Sequence, residues 1–461
     1  PDDLYSIIYT SGTTGDPKGV MITHRAMMAQ FAGLDKLFDI RPQDHSLCFL
    51  PLSHALERGW SSFLWSHGCM NTYLADTRQI AEMMVLSRTT MMVGVPKLFQ
   101  GVVVAARKKA SSSPVRKRLF DWALWVGRSA RLPGQRPLKN LAARIQLPLA
   151  DLLVLRSIRH ALGGRKKVLA CGGAPLPRDV EDFFVAAGAP LVNGYGMTEA
   201  SPLISFNAPG ATREGSVGRV MPGGRIRLGD EDEVQYSGPN LMDGYWGHPE
   251  ATKEALLRDA SGTWLRTGDV GSIDHDGYLF ITDRLKDIIV TSGGKNVAPQ
   301  PIEELLRTDP LFEHAVLLGD NKPFLTLILR PSLPNLSDIA DSLHVSYAQV
   351  SDLLTDTRIT EELRSRAAQL TEKLPKHMQF KDMRISLEEF SVANGLLTPT
   401  LKVRRREVEK HFHEMIDEMY SKLRKDDRSA ANQARPADDS GSGDDSESDD
   451  GSSTAQRGSQ G

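Results

Sequence analysis

The segment Tyr9-Thr10-Ser11-Gly12-Thr13-Thr14-Gly15-Asp16-Pro17-Lys18-Gly19 constrains the fold more than any other part of the chain. It follows an apolar run, residues 4–10, that reads as a β-strand. Glycines let the backbone turn its N–H groups toward a ligand, and the Ser and Thr hydroxyls add further donors. Such a loop can wrap the oxygens of a phosphate, and Lys18 adds a point charge. The spacing is not that of a Walker A loop, which needs Gly, four residues, then Gly-Lys-Ser/Thr; here Lys18 lies between Pro17 and Gly19. An ordinary P-loop NTPase is therefore excluded, while a phosphate-bearing ligand is not.

Length and composition set the frame for that loop. At roughly 100–200 residues per domain, 461 residues suggest two to four domains with a large core. A charged fraction of 25% against 40% hydrophobic residues excludes wholesale disorder. No run of about 18 uncharged apolar residues offers a transmembrane helix. Cys48, Cys69 and Cys171 lie far apart in sequence, which excludes a disulfide framework or a cysteine-based zinc site and points to a reducing, cytoplasmic setting. The first residue is Pro1 rather than Met, no signal peptide precedes the first strand, and the start reads as a cut edge. The net charge of −2 is uneven: from Ser429 onward there are seven acidic and two basic residues. That Ser/Gly/Asp-rich end has too little to bury and is expected to be a disordered tail. Neither part is basic enough for a nucleic-acid binder.

Further along, Val168 to Cys171 reads as a short buried strand, followed by the loop Gly172-Gly173-Ala174-Pro175. Residues 177–187 have helical spacing at Val180, Phe183, Phe184 and Ala187, with Pro177 in the first turn, and residues 190–192 read as a second strand. This βαβ unit implies a parallel sheet, with ligands in the crevice at the strand ends. Residues 107–165 differ in character, with Arg116-Lys117-Arg118 and Trp122 and Trp125 on a basic amphipathic helix. Peripheral contact with an anionic membrane is one reading and a solvated basic face is the other. His411-Phe412-His413-Glu414 lacks the spacing of a zinc-binding helix, and the Arg404-Arg405-Arg406 run and Lys410 before it read as a solvated helix.

Five further motifs follow in order: Asn193-Gly194-Tyr195-Gly196-Met197-Thr198-Glu199, Trp264-Leu265-Arg266-Thr267-Gly268-Asp269, Asp283-Arg284-Leu285-Lys286-Asp287, Ser292-Gly293-Gly294-Lys295-Asn296, and Thr398-Pro399-Thr400-Leu401-Lys402. Glu199 is a hard oxygen ligand of the kind Mg²⁺ takes beside substrate phosphates. Tyr195 is an aromatic able to stack on a base. Thr267-Gly268-Asp269 is a turn that presents a carboxylate. Together with the opening loop, this series resembles the adenylate-forming superfamily, over residues 4 to about 412. Phe49-Leu50-Pro51-Leu52-Ser53-His54-Ala55-Leu56-Glu57-Arg58, Gly294-Lys295-Asn296-Val297-Ala298-Pro299 and the basic insert are similar to its long-chain acyl-CoA synthetase branch.

The resemblance implies an α/β fold: a large adenylate-forming domain with parallel sheets, lacking its N-terminal part, over 1–282. A small mobile α+β domain over 283–424 and an acidic tail over 425–461 complete the chain. It implies that Thr10, Ser11, Gly12, Thr13, Thr14, Gly15 and Lys18 hold ATP phosphates, that Thr198 and Glu199 serve phosphates and Mg²⁺, and that Gly173, Ala174, Pro175, Tyr195 and Gly196 frame adenine. It gives Asp269 to the ribose, Arg284 to the ribose or a phosphate, Asp283 to the hinge, Gly293 and Gly294 to the coenzyme A tunnel, and His54 and Trp60 to the acyl tunnel. Taken alone, His54 reads as a structural histidine. Lys402 is the implied catalytic lysine, although Leu401 stands where many relatives have Gly. The implied reaction is ATP-dependent activation of a long-chain fatty acid through an acyl-adenylate, then transfer to coenzyme A. A non-catalytic acyl- or nucleotide-binding relative, an acyl-AMP ligase for another carboxylic acid, and a fragment inactive on its own remain open alternatives.

Overall fold

The computed structural model describes residues 1–10, 17–132, 137–398 and 403–421. Residues 1–412 form one compact unit, and of the second unit, which begins at residue 413, residues 413–421 are helical. The acidic stretch 425–461 lies outside the described residues.

Within the first unit, a seven-stranded sheet carries the apolar β-branched and sulfur-containing runs of the sequence. Its parallel part runs Met70–Tyr73, His45–Cys48, Met91–Gly94, Val168–Cys171 and Leu191–Tyr195, and Ser205–Phe206 and Arg219–Val220 extend it antiparallel. Met91–Gly94 and Val168–Cys171 are buried at every residue, as expected of central strands covered on both faces. The βαβ unit is present. Its helix is Arg178–Ala187, with Pro177 at the N-cap rather than inside the first turn, and Gly188 in the left-handed region closes it. The second strand runs to Tyr195, three residues past the sequence expectation of 190–192. Pairing of Gly194 and Tyr195 with Phe206 and Ser205 carries it on, a tertiary effect that hydrophobic pattern does not report.

The strand Leu4–Thr10 pairs antiparallel with Lys18–Thr23, Thr10 opposite Lys18. The phosphate-loop candidate thus closes a β-hairpin, whereas a Walker loop leads from strand to helix. Gly244–Tyr245 adds a third strand, Tyr245 opposite Val20. A five-stranded antiparallel sheet contains Glu233–Ser237, Gly262–Ile273 and Leu279–Arg284.

The basic insert is helical, as its spacing predicts: Pro96–Ala110, Pro114–Arg131, Pro137–Ala150 and Arg156–Ala161, with a π turn at Asp151–Leu155. Gly127 lets the second of these approach helix Arg178–Ala187, since a Cβ there would collide with the Ala186 carbonyl. Among the described residues, no helix is long and apolar enough to cross a membrane.

After Arg284, the strands Phe312–Leu318, Leu325–Pro331 and Phe380–Ile385 form a small mixed sheet packed with helices Pro299–Leu306 and Thr357–Thr371. The Arg404-Arg405-Arg406 run, read from sequence as a solvated helix, needs a correction. Arg405 is partly buried, its side chain 15% exposed, and donates to Glu303 at 2.5 Å and to the Leu317 carbonyl at 2.5 Å. The buried Glu303 carboxylate, 102 positions away in sequence, is what draws it inward.

Asp283 joins Leu279–Arg284 to helix Pro299–Leu306. Its carboxylate accepts from the Arg284 N–H at 2.7 Å and the Gln300 N–H at 3.0 Å, satisfying a first-turn donor that the Ala298 N-cap leaves open. Burial outweighs those donors and pushes Asp283 from 3.8 up to about 6. A carboxyl raised in the folded state holds its proton there at pH values where the unfolded chain has lost it. Its contribution to stability is complete below about pH 4 and is lost as pH rises through 6. We therefore expect the unfolding free energy of the natural chain, measured relative to Asp283→Asn, to fall by up to about 3 kcal/mol between pH 4 and 7 in urea titrations. A pH-independent difference would show that Asp283 does not titrate in this window.

Candidate functional site

The parallel strands end on one edge of the seven-stranded sheet, and the chain leaves His45–Cys48, Val168–Cys171 and Leu191–Tyr195 through stretches containing singled-out motifs. Gly172 follows Val168–Cys171, and its N–H donates to the Gly94 carbonyl at 3.2 Å. Gly173 has φ +82°, a conformation that favours glycine, and the Leu56 and Val95 side chains lie just beyond it. Gly196, after Leu191–Tyr195, has no room for a Cβ, which would run into the Pro202 carbonyl. These backbones are fixed by close approach, which suits loops that a flat ligand must touch.

Asn193 sits on this edge opposite Cys171, and its side-chain Oδ1 is buried with no hydrogen-bond partner among the described residues. An orphaned acceptor of this kind fits a ligand N–H donor, such as the exocyclic amine of a purine. The motif containing Asn193 was singled out in sequence, but nothing there gave this residue a role. Only the tertiary environment reveals that its side chain is unsatisfied.

Tyr195 and Asp269, 74 positions apart, meet directly: the Tyr195 hydroxyl donates to Asp269 Oδ2 at 2.6 Å. Arg284 Nε lies 3.2 Å from Asp269 Oδ1, because the pairing of Gly262–Ile273 with Leu279–Arg284 sets the two residues opposite each other. Asp269 is buried and Arg284 half exposed. Burial, then the adjacent carboxylate, pushes the Tyr195 phenol well above its ordinary range, so it remains a donor. Each Asp269 oxygen keeps a free lone pair after these contacts, enough to accept two hydroxyls from a sugar.

Thr198 and Glu199 lie in a short 3₁₀ turn, Thr198–Ala200, both buried. Glu199 Oε1 accepts from the Tyr245 hydroxyl at 2.8 Å, and burial raises its carboxyl above the usual range. Lys18 Nζ stands 5.4 Å from the Tyr245 ring centre, in cation–π range. Tyr245 therefore brings the hairpin lysine and the buried carboxylate together, a link absent from the sequence reading. The only sequence signal was an aromatic pair, Tyr245-Trp246, between Gly244 and Gly247.

The other candidates stand apart or outside. Thr10 ends its strand, its hydroxyl 3.5 Å from the Lys18 carbonyl. Ser11, Gly12, Thr13, Thr14 and Gly15 lie outside the described residues, as does Lys402. Ala174 and Pro175 continue the loop from Gly173. Gly293 and Gly294 form the open turn between Ile289–Val290 and Asn296–Val297, the Gly294 N–H donating to Thr291 at 2.8 Å. His54 caps helix Ala55–Ser66, its side chain accepting from the Leu56 N–H at 3.3 Å. Trp60 is buried in the core, its indole N–H donating to Ser46 at 3.1 Å.

Known proteins match this arrangement along nearly its whole length. The family model described as AMP-binding enzyme matches residues 1–246, and that of the AMP-binding enzyme C-terminal domain matches 286–424. The chain belongs to the AMP-binding enzyme family. Among curated members it is 33% identical to long-chain-fatty-acid–CoA ligase FadD15 of Mycobacterium bovis, over 91% of this chain and 70% of that protein. It is also 33% identical to human long-chain-fatty-acid–CoA ligase 6, over 91% of this chain and 61% of that one. The fold is shared with ATP-bound MatB of Rhodopseudomonas palustris, at 21% identity and TM-score 0.62 over 90% of this chain and 69% of that one. The O-succinylbenzoate coenzyme A synthetase of Bacillus subtilis in complex with AMP gives 21% identity and TM-score 0.59 over 88% and 69%.

For this AMP-binding enzyme the Tyr195–Asp269 contact gives a direct test. A hydrogen bond to a charged group contributes about 1.5–3 kcal/mol, so Tyr195→Phe should lower the unfolding free energy by about that much in urea titrations. An unchanged unfolding free energy would show that the contact carries no such energy.

Proposed function

We infer that the protein is an AMP-forming long-chain-fatty-acid–CoA ligase. It consumes ATP, a fatty acid and coenzyme A. The observation that carries the reading is the Tyr195–Asp269–Arg284 cluster beside the orphaned Asn193 acceptor, on the sheet edge where the glycine loops converge. The curated relatives, which carry that activity in their names, supply the substrate class.

In the first half-reaction a carboxylate oxygen of the fatty acid attacks the α-phosphorus of ATP. The bond from that phosphorus to the bridging oxygen breaks, and pyrophosphate leaves with the electron pair. In the second, the thiol sulfur of coenzyme A attacks the acyl carbon, AMP leaves, and the thiol proton passes to solvent. The acid is thereby given a good leaving group before it meets the thiol.

Residue roles follow from charge and position. Asp269 accepts the ribose hydroxyls, oriented by Tyr195 and Arg284. Asn193 accepts from the adenine amine, and the Gly172–Pro175 and Gly196 backbones border the ring. Lys18 and the hydroxyls and N–H groups of residues 10–15 bind the phosphates. Lys402 supplies positive charge as the α-phosphate gains an attacking and a leaving oxygen.

Glu199 suits a divalent cation. Among the described residues no cluster of three His, Cys, Asp or Glu could hold a metal alone, and a single carboxylate near phosphate groups is the donor set Mg²⁺ uses with a nucleotide. Glu199, with Thr198, would hold Mg²⁺, which when bound offsets phosphate charge.

Residues 283 to 424 serve as a domain that turns about Asp283 between the half-reactions, withdrawing Lys402 and bringing Gly293 and Gly294 to the thiol. The Asp283 anchoring of helix Pro299–Leu306 through the Gln300 N–H supports that pivot. His54 and Trp60 border the acyl chain only in a weaker sense, since both already have structural work. The reaction is expected to run in the cytoplasm, consistent with three free cysteines, all buried.

Pyrophosphate release tests the reading. The full-length protein with palmitate, ATP and Mg²⁺ should release pyrophosphate, and Lys402→Ala should lower the rate at least a hundredfold while leaving AMP affinity within about twofold. No release with any acyl chain would reject the ligase assignment in favour of a binding protein.

A further inference from the structure

The continuous helical run from Pro137–Ala150 through the π turn Asp151–Leu155 into Arg156–Ala161 has two unlike faces. Its inner face is buried through Ala143, Ala150, Val154 and Leu155. Its outer face presents Leu141, Ile145, Leu149, Leu152 and Leu153, each between 50% and 74% exposed. Steps of four, four and three residues place them in one stripe, about 18 Å long at 1.5 Å per residue. A single exposed leucine needs no explanation, but a row of five branched aliphatic side chains does.

The stripe has a basic border. Helix Pro114–Arg131 packs along this run, tied to it by the Trp122 indole donating to Gln146 at 3.0 Å. It adds exposed Trp125 and Val115 and the exposed cations Arg116, Lys117 and Arg118. Residues 107–165 hold fourteen Lys and Arg against two acids, Asp121 and Asp151. Asp151 is taken up internally by Arg159, 2.7 Å away.

We propose that this face docks on an anionic lipid bilayer. The aliphatic stripe enters the boundary between headgroups and acyl chains, Trp125 sits at the interface, and the cations lie at the level of the lipid phosphates. Charge decides among occupants: a second copy of the chain would bring its own exposed Arg116, Lys117 and Arg118 against these, whereas an anionic surface complements them. The binding surface stands apart from the nucleotide cluster and does not depend on the ligase reading.

Co-sedimentation of the full-length protein with vesicles tests it. The natural protein should pellet with phosphatidylcholine–phosphatidylglycerol vesicles, less with phosphatidylcholine alone, and less as salt is raised. Ile145→Glu with Leu149→Glu should lower partitioning at least about tenfold. Arg116→Ala, Lys117→Ala and Arg118→Ala together should abolish the preference for the anionic lipid. All five positions are exposed, so both variants should keep the natural unfolding midpoint and nucleotide affinity. A natural protein that stays in the supernatant, or vesicle binding unaltered by both variants, overturns the proposal. Self-association in sizing runs that is lost with Ile145→Glu and Leu149→Glu would equally overturn it, by assigning the stripe to a second copy.

Discussion

A carboxylate taken out of water must find donors or charges to replace it, and Asp269 meets that requirement from two separate elements. Tyr195 reaches it from the end of a parallel strand, and Arg284 from the strand opposite in another sheet. Losing either donor would leave a buried charge under-satisfied, so the seven-stranded and five-stranded sheets are held in one mutual position by this contact. The same geometry leaves lone pairs on Asp269 for a sugar and sets the aromatic Tyr195 on the crevice edge. Structure and recognition draw on one set of atoms.

A second buried carboxylate extends the pattern. Glu199 takes its donor from Tyr245, whose ring also faces Lys18. Tyr245 belongs to the three-stranded sheet of the phosphate-loop hairpin, so this contact fixes the hairpin relative to the turn carrying Thr198 and Glu199. A tyrosine hydroxyl thus anchors each acid. Both phenols are pushed up by burial and by their carboxylate partners, which keeps them protonated as donors.

Much of this was legible in the sequence where the signal is local. The βαβ unit around Val168–Cys171, the helical insert and the glycine loops follow from periodicity and from backbone freedom at single positions. The order of motifs carried the family. What the sequence withheld depends on contacts made across long separations. Asn193 becomes an orphaned acceptor only in its folded surroundings, and Tyr245 finds Glu199 across 46 positions. Arg405 was misread as solvated because a run of three arginines looks exposed until Glu303 is placed beside it. Strand Leu191–Tyr195 outran its expectation because a neighbouring strand, and not its own hydrophobicity, continues it.

The central claim is chemical: the acid attacks the α-phosphorus, and AMP later leaves from the acyl carbon. Palmitate labelled with ¹⁸O in both carboxylate oxygens, turned over by the full-length protein with ATP and coenzyme A, tests this most directly by mass spectrometry of the products. The account predicts one ¹⁸O in AMP, none in pyrophosphate, and one retained in the thioester. Label in inorganic phosphate, with ADP as the nucleotide product, would mean attack at the γ-phosphorus and would contradict it.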